Sequence, residues 1–255
     1  MQLAPGIPTL AIEGAVATIR LNRPAVHNRI EPADLVALDG LIDSIAAEPS
    51  VRVAVLTASG RSFSSGFHIG EIGSGGPQDE SSFGRLADRL ERLAVPTICA
   101  MNGGVYGGST DLALACDFRI GVTGMAMFMP AARLGLHYYP SGMQRYVSRL
   151  GLNSAKRLFL TAGKLEAEEM LRIGFLTELV APEALAGRVA ELAATLAANA
   201  PLAVQGMKRA LNDIARGDAD LEAIEATARR VRDSDDLREG RAAWLEKRPP
   251  HFTGR

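Results

Sequence analysis

The chain has 255 residues, enough for one substantial core with a smaller appendage. Hydrophobic residues make up 47% and charged residues 22%, with a formal net charge of −1, which is ordinary for a soluble globular protein. There is no dense Lys/Arg run with interleaved aromatics and no apolar run long enough to span a bilayer, which argues against nucleic acid or membrane as a partner.

Residues 1–10 lack a basic segment followed by an apolar core, so no signal peptide is expected and the cytoplasm is the default location. Residues 10–13 and 15–22 alternate around Gly14 and suggest a hairpin, ended by Arg23 and Pro24. Leu35, Leu38, Ile42 and Ile45 predict a helix over 32–47. Residues 51–58 (VRVAVLTA) read as a buried strand, followed by the small-residue turn of 61–72 (RSFSSGFHIGEI). Residues 73–79 (GSGGPQD) read as a polar, glycine-rich loop, either a pocket border or a plain surface connection. Phe83, Leu86, Leu90 and Leu93 return to helical spacing.

Residues 96–101 (PTICAM) read as a second buried strand, leading into NGGVYGGSTDLALACD at 102–117. Gly107 and Gly108 open a helix there, with Ser109 or Thr110 able to cap it. Glycine lets the backbone approach a ligand closely. The helix N-terminus adds unpaired N–H groups and partial positive charge, so a carbonyl oxygen turning negative would be stabilised. A strand-to-helix turn packed tightly for structural reasons would read the same way. Further strands are expected at 118–122, 125–130 (MAMFMP, whose methionines either line a malleable acyl pocket or, the better reading, pack in the core) and 176–180, with a loop at 133–139 (RLGLHYY). Helices are expected at 140–150, 166–173, 183–198, 201–215, 218–232 and 236–246. The change to alanine-rich helices places a boundary near Asn199, dividing a core at 1–199 from a helical region at 200–255. Cys99 and Cys116 lie in apolar runs and read as reduced core residues. The four histidines lack metal-site spacing, and no nucleophile elbow, P-loop or dinucleotide fingerprint is present.

RPAVHN, VRVAVLTA, FSSGF, NGGVYGGSTDLALACD and a Pro-containing strand ending in RLGL occur in that order, with REGRAAWLEKRPPHF near the end. This succession resembles the enoyl-CoA hydratase/isomerase (crotonase) superfamily over nearly the whole chain. The resemblance implies an α/β fold, a spiral of ββα units followed by C-terminal helices that carry subunit contacts in a homotrimer or dimer of trimers. It implies an acyl-CoA thioester substrate, with CoA as part of that substrate and no separate cofactor.

The resemblance assigns an oxyanion hole to the backbone N–H groups of Phe67 and Gly108, worth about 3 kcal/mol of barrier each. Of the family's two acid/base glutamates, the first position holds Asp111 and the second Ala131. The Asp111 carboxylate would sit about 1.5 Å further back than a glutamate's. Direct proton transfer, transfer through a water and purely electrostatic support all stay open for it. Ala131 weakens standard hydration, which needs both groups. The place of a nucleophilic aspartate in the dehalogenase branch holds Tyr139. His137, Tyr138 and Tyr139 fall in the loop bordering the reacting carbons. His titrates near neutrality and Tyr donates hydrogen bonds, although such a loop also packs between subunits or on an acyl tail. Ser65 and Gly66 belong to the turn that borders adenine, and His27 to the segment bordering CoA. His68 contacts substrate or faces solvent; Lys247 and Arg248 meet phosphates or form a solvated tail. With Asp111 as the main proton-transfer group, double-bond isomerisation is easier to write than hydration. The rival readings are a non-catalytic acyl-CoA-binding protein and a crotonase-type hydrolase of a non-CoA ketone.

Overall fold

The computed structural model describes residues 6–73 and 80–255; most of the glycine-rich loop read at 73–79 lies outside them. The chain opens with β1 (Thr9–Glu13) and β2 (Val16–Leu21), an antiparallel hairpin turned at Gly14. Helix α1 (Pro32–Ala47) buries Leu35, Leu38, Ile42 and Ile45, the stripe its spacing predicts. β3 (Val53–Ala58) pairs in parallel with β2. Then come α2 (Glu80–Arg92), β4 (Thr97–Met101), the short β5 (Val105–Tyr106) and α3 (Gly108–Leu114). β6 (Phe118–Val122), β7 (Ala126–Phe128), α4 (Pro140–Thr161), β8 (Leu165–Glu166), α5 (Ala167–Arg172) and β9 (Glu178–Val180) follow. Helices α6 (Leu185–Ala197), α7 (Pro201–Arg216), α8 (Leu221–Arg232) and α9 (Asp235–Glu246) end the chain.

Among the described residues, one sheet has the order β1-β2-β3-β4-β6-β9 and a smaller one the order β5-β7-β8. From β2 onward the larger sheet is parallel. A parallel sheet covered on both faces needs strands that are apolar throughout, and all five residues of β4 are buried. Successive turns of chain repeat one plan. β4 leaves the large sheet for β5 and then α3; β6 leaves it for β7 and then α4. After β3, Ser64 bridges to Val105 at the same small sheet before α2 begins. This is the expected ββα spiral.

Three local readings are corrected. Ser109 and Thr110 do not cap α3: Gly107 is its N-cap, and both hydroxyls bond elsewhere. The helix read at 140–150 does not stop there. It breaks at Gly151, with φ 77° and ψ 158°, and resumes to Thr161. Glu166 belongs to a short strand before α5 rather than to that helix.

Candidate active site

Two backbone turns face each other across the start of α3. The first, at 64–67, is pinned by Ser64, which is fully buried. Its hydroxyl donates to the Asn28 carbonyl at 2.7 Å, so its oxygen accepts from Ser109 Oγ at 2.6 Å and from the Gly66 N–H at 3.2 Å. Asn28, from RPAVHN, braces the same turn by donating to the carbonyls of Ser59 and Ser62. The Tyr106 N–H donates to the Ser64 carbonyl at 3.0 Å, which joins this turn to the strand entering the second one.

The second turn is Gly107-Gly108. Gly107 has φ 56° and ψ −137°, and its N–H donates to Phe128. At Gly66, φ is 93°, and an added Cβ would lie 2.7 Å from the Tyr106 carbonyl oxygen and 3.4 Å from the Gly108 nitrogen. A side chain there would separate the turns, so Gly66 is required by the approach itself. Among the described residues, neither the Phe67 nor the Gly108 N–H donates to another backbone group, although the neighbouring Ile30, His68 and Thr110 N–H groups all do. Buried N–H groups are nearly always paired. Two without backbone partners on adjoining turns form a pair of donors free to meet an acceptor.

Both residues line a cavity of about 160 Å³. Ser65, Gly66, Ala131, His137, Tyr138 and Tyr139 line it as well, so eight positions singled out in the sequence converge. The rest of its wall is apolar and includes Ile69, Ile72, Phe83, Met129 and Leu136. All three methionines of 125–130 are buried in the core, and Met129 also borders the cavity. Phe83 packs edge-on to Phe67 with ring centroids 6.0 Å apart. It reads from sequence only as a core position of α2.

Asp111 is not on that wall. It is fully buried, one turn into α3, with its carboxylate turned toward α4. Its Oδ2 accepts from Arg145 Nη1 at 2.6 Å and from the Tyr139 hydroxyl at 2.6 Å; Oδ1 has no partner among the described residues. Tyr139, which does line the cavity, is the wall residue that bonds Asp111. The Tyr139 ring lies between Gly84 of α2 and Gly142 of α4, where added Cβ atoms would come within 3.0 and 2.6 Å of it. It stacks on Tyr138 at 4.2 Å, with the two hydroxyls 3.0 Å apart.

Arg145 carries no signal in the sequence and proves to be the hub. Its side chain is almost wholly buried, and its three nitrogens reach Asp111, Asp88 at 2.6 Å and Glu91 at 3.1 Å. Arg149 and Arg216 also hold Glu91, at 2.8 and 3.3 Å. Buried charge persists only when paired this way. Burial opposes the Arg145 charge, but the carboxylates of Asp111 and Glu91 outweigh it and raise its pKa. Burial pushes the Asp111 carboxyl above its usual range, against the pull of Arg145 and Tyr139. Burial and the nearby Asp111 charge push the Tyr139 phenol far up, so it is neutral at ordinary pH.

The other predicted residues lie off the cavity wall. His68 Nδ1 sits 2.9 Å from Glu31, and His27 Nδ1 is 2.9 Å from Ser62 Oγ. Lys247 is exposed at the C-cap of α9. Arg248 is occupied by Glu239 and Glu246. His137, exposed at the cavity mouth, has Nδ1 2.9 Å from the Tyr138 carbonyl.

Comparison with known proteins agrees with this architecture. The family model for enoyl-CoA hydratase/isomerase matches residues 11–255. The short-chain-enoyl-CoA hydratase of Clostridium acetobutylicum is 33% identical over 243 residues, 92% of this chain and 93% of the relative. The methylmalonyl-CoA decarboxylase of Escherichia coli is 28% identical over 256 residues, 94% of this chain and 98% of the relative. The solved structure described as enoyl-CoA hydrates subunit I, from Geobacillus kaustophilus, superposes with a TM-score of 0.88 at 31% identity, covering 98% of this chain and 99% of that one. With the ββα spiral, the adjoining glycine turns and a match along almost its full length, the chain belongs to the enoyl-CoA hydratase/isomerase family, of the crotonase superfamily.

Proposed function

We propose that the cavity takes the acyl end of a CoA thioester and holds its carbonyl oxygen between the N–H groups of Phe67 and Gly108 while the bond to the α-carbon gains enolate character. The observation that carries this reading is the pair of N–H groups without backbone partners, on adjoining turns of one apolar wall. In a dry site each such donor is worth about 3 kcal/mol of barrier.

The reaction class follows from what the wall lacks. Family members of similar resemblance are named for water addition and for decarboxylation, so membership alone leaves the reaction open. Here Ala131 stands where a second carboxylate would activate water, and among the described residues the cavity wall presents no carboxylate. Moving a proton between carbons needs one acid/base path; adding water needs a second group to orient the nucleophile. Double-bond isomerisation is therefore the reading favoured over hydration. The turn at Ser65 and Gly66, with His27 and His68 beside it, is proposed to meet the CoA moiety, Tyr138 the part of the substrate near the reacting carbons, and Lys247 the CoA phosphates across the contacts of a homotrimer or dimer of trimers.

The test is mass spectrometry of 2-enoyl, 3-enoyl, 3-hydroxyacyl and saturated CoA thioesters incubated with the protein in deuterated water. Deuterium uptake at carbon without gain of water is the expected result. Gain of water would replace isomerisation by hydration. Binding without any mass change would favour the second reading that Ala131 supports, a non-catalytic acyl-CoA binder.

A further inference from the structure

We propose that Tyr139 carries protons between substrate and Asp111, so that Asp111 acts through the phenol and Arg145 positions the carboxylate. The inference rests on the reading of the cavity as an enolate-forming thioester site. Three observations lead to it. Asp111 is sealed from the cavity, yet Tyr139 both lines the cavity and bonds Asp111 Oδ2 at 2.6 Å. The glycines on either side hold the Tyr139 ring in one place, which suits a relay of fixed geometry. Arg145 bonds the same oxygen at 2.6 Å, which fixes the carboxylate and compensates its charge.

The proton balance is simple. The C–H bond of the substrate breaks, and its electron pair moves toward the thioester oxygen between Phe67 and Gly108. The released proton lands on the Tyr139 oxygen as the phenol's own proton passes to Asp111 Oδ2. Tyr139 remains neutral throughout, and no phenolate forms beside a carboxylate, which the high phenol pKa would forbid. Asp111 becomes a neutral acid, a form that burial already favours. Reversal returns a proton to a different carbon. A neutral tyrosine alone could donate but not accept, whereas the pair does both.

The test is the rate of deuterium exchange into a thioester for the wild type, Tyr139→Phe, Asp111→Asn and the double variant. Thioester binding is titrated in parallel. Each single variant is expected to lose about a hundredfold or more in exchange while still binding, and the double variant to lose no more than the worse single one. Exchange by the wild type should fall as pH drops through the Asp111 pKa, above the ordinary 3.8. That limb should vanish from the residual rate of both single variants. The groups facing Asp111 are Arg145 and Tyr146 from α4, Tyr138 and Tyr139 just before it, and Glu91 with Asp88 from α2; Asp111→Asn leaves all of them in place, so loss of the limb in that variant is what assigns it to Asp111. Should Asp111→Asn fail to fold around the unpaired Arg145, Tyr139→Phe leaves that ion pair in place and decides alone. Tyr139→Phe exchanging at nearly the wild-type rate overturns the relay while leaving the enolate reading intact. Losses that multiply in the double variant overturn it too, because the two groups then act independently. A wild type that exchanges no thioester removes the enolate reading and the relay with it.

Discussion

At Gly66 two constraints coincide: a φ of 93°, where a side chain is strained, and a backbone oxygen 2.7 Å from any added Cβ. Backbone atoms cannot swing aside as a flexible side chain does, so Gly66→Ala has to push the 64–67 turn away from Gly107-Gly108. The Phe67 and Gly108 N–H groups would then no longer converge on one oxygen. A shift of about 1 Å in a reacting site costs on the order of a hundredfold in rate, and the positive φ costs about 1–3 kcal/mol of stability. The expected outcome is a folded protein with a lowered melting temperature and exchange reduced about a hundredfold. Exchange at the wild-type rate would dissociate the two N–H groups from the chemistry. The same scale shows what a string of residues can and cannot carry. The two proposed donors are main-chain groups, so the glycine pattern and the family resemblance suffice to point at Phe67 and Gly108. Side-chain direction is different. Asp111 follows the turn at the right position, but α3 is buried on almost every side, and only the fold shows that this carboxylate faces Arg145, 34 residues later in the chain. Nothing in the spacing of Arg145 distinguishes it from a surface arginine.

Helix α4 shows how an element can be read correctly at its start and wrongly at its end. Pro140 at its first turn and the apolar spacing after it fix the beginning. Gly151 then looks like a stop, because glycine commonly follows a helix end. It is instead a sharp break, at φ 77° and ψ 158°, between two helical stretches. The break lets the first stretch place Arg145 and Tyr146 under α3 while the second brings Phe159 onto Tyr146, with ring centroids 4.7 Å apart. No heavy atom lies within 4 Å of a Cβ built on Gly151, so its requirement is conformational rather than steric. Gly151→Ala is expected to cost about 1–3 kcal/mol from backbone strain alone. In a domain of this size that lowers the melting temperature by roughly 2–4 °C per kcal/mol. The affinity for thioester should stay unchanged, because the break lies away from the cavity wall. An unaltered melting curve would mean that the helix straightens through the site at no cost.

Among the described residues, exposed large apolar side chains are spread along the chain, from Val36 and Ile69 to Leu160, and the C-terminal helices carry a group of them. Met207, Leu211 and Ile214 on α7, Leu221 on α8 and Trp244 with Leu245 on α9 are all more than half exposed, and Trp244 reaches 85%. Helices α7 and α8 contain no fully buried residue: Leu202, Val204, Ile224 and Val231 are half-buried within the chain, while Met207, Leu211, Ile214 and Leu221 are left largely exposed. Closed assembly of copies covers such faces, which is the reason to propose a homotrimer or dimer of trimers in solution. Lys247 follows Trp244 and Leu245 after one glutamate, Glu246, exposed and without an ion-pair partner among the described residues, while Arg248 beside it is occupied by two glutamates. The proposal that Lys247 meets a phosphate of CoA across the contact of two copies requires an assembly built on this face. Lys247→Ala should then raise KM for a CoA thioester about tenfold, the size of one charged hydrogen bond. It should leave KM for the matching pantetheine thioester, which lacks the nucleotide phosphates, unchanged. Trp244→Arg should weaken association in sedimentation velocity and raise KM for the CoA thioester in the same way. If the wild type sediments as a monomer, this face has another partner. If Lys247→Ala shifts KM equally for both thioesters, the lysine supports the fold rather than the phosphates.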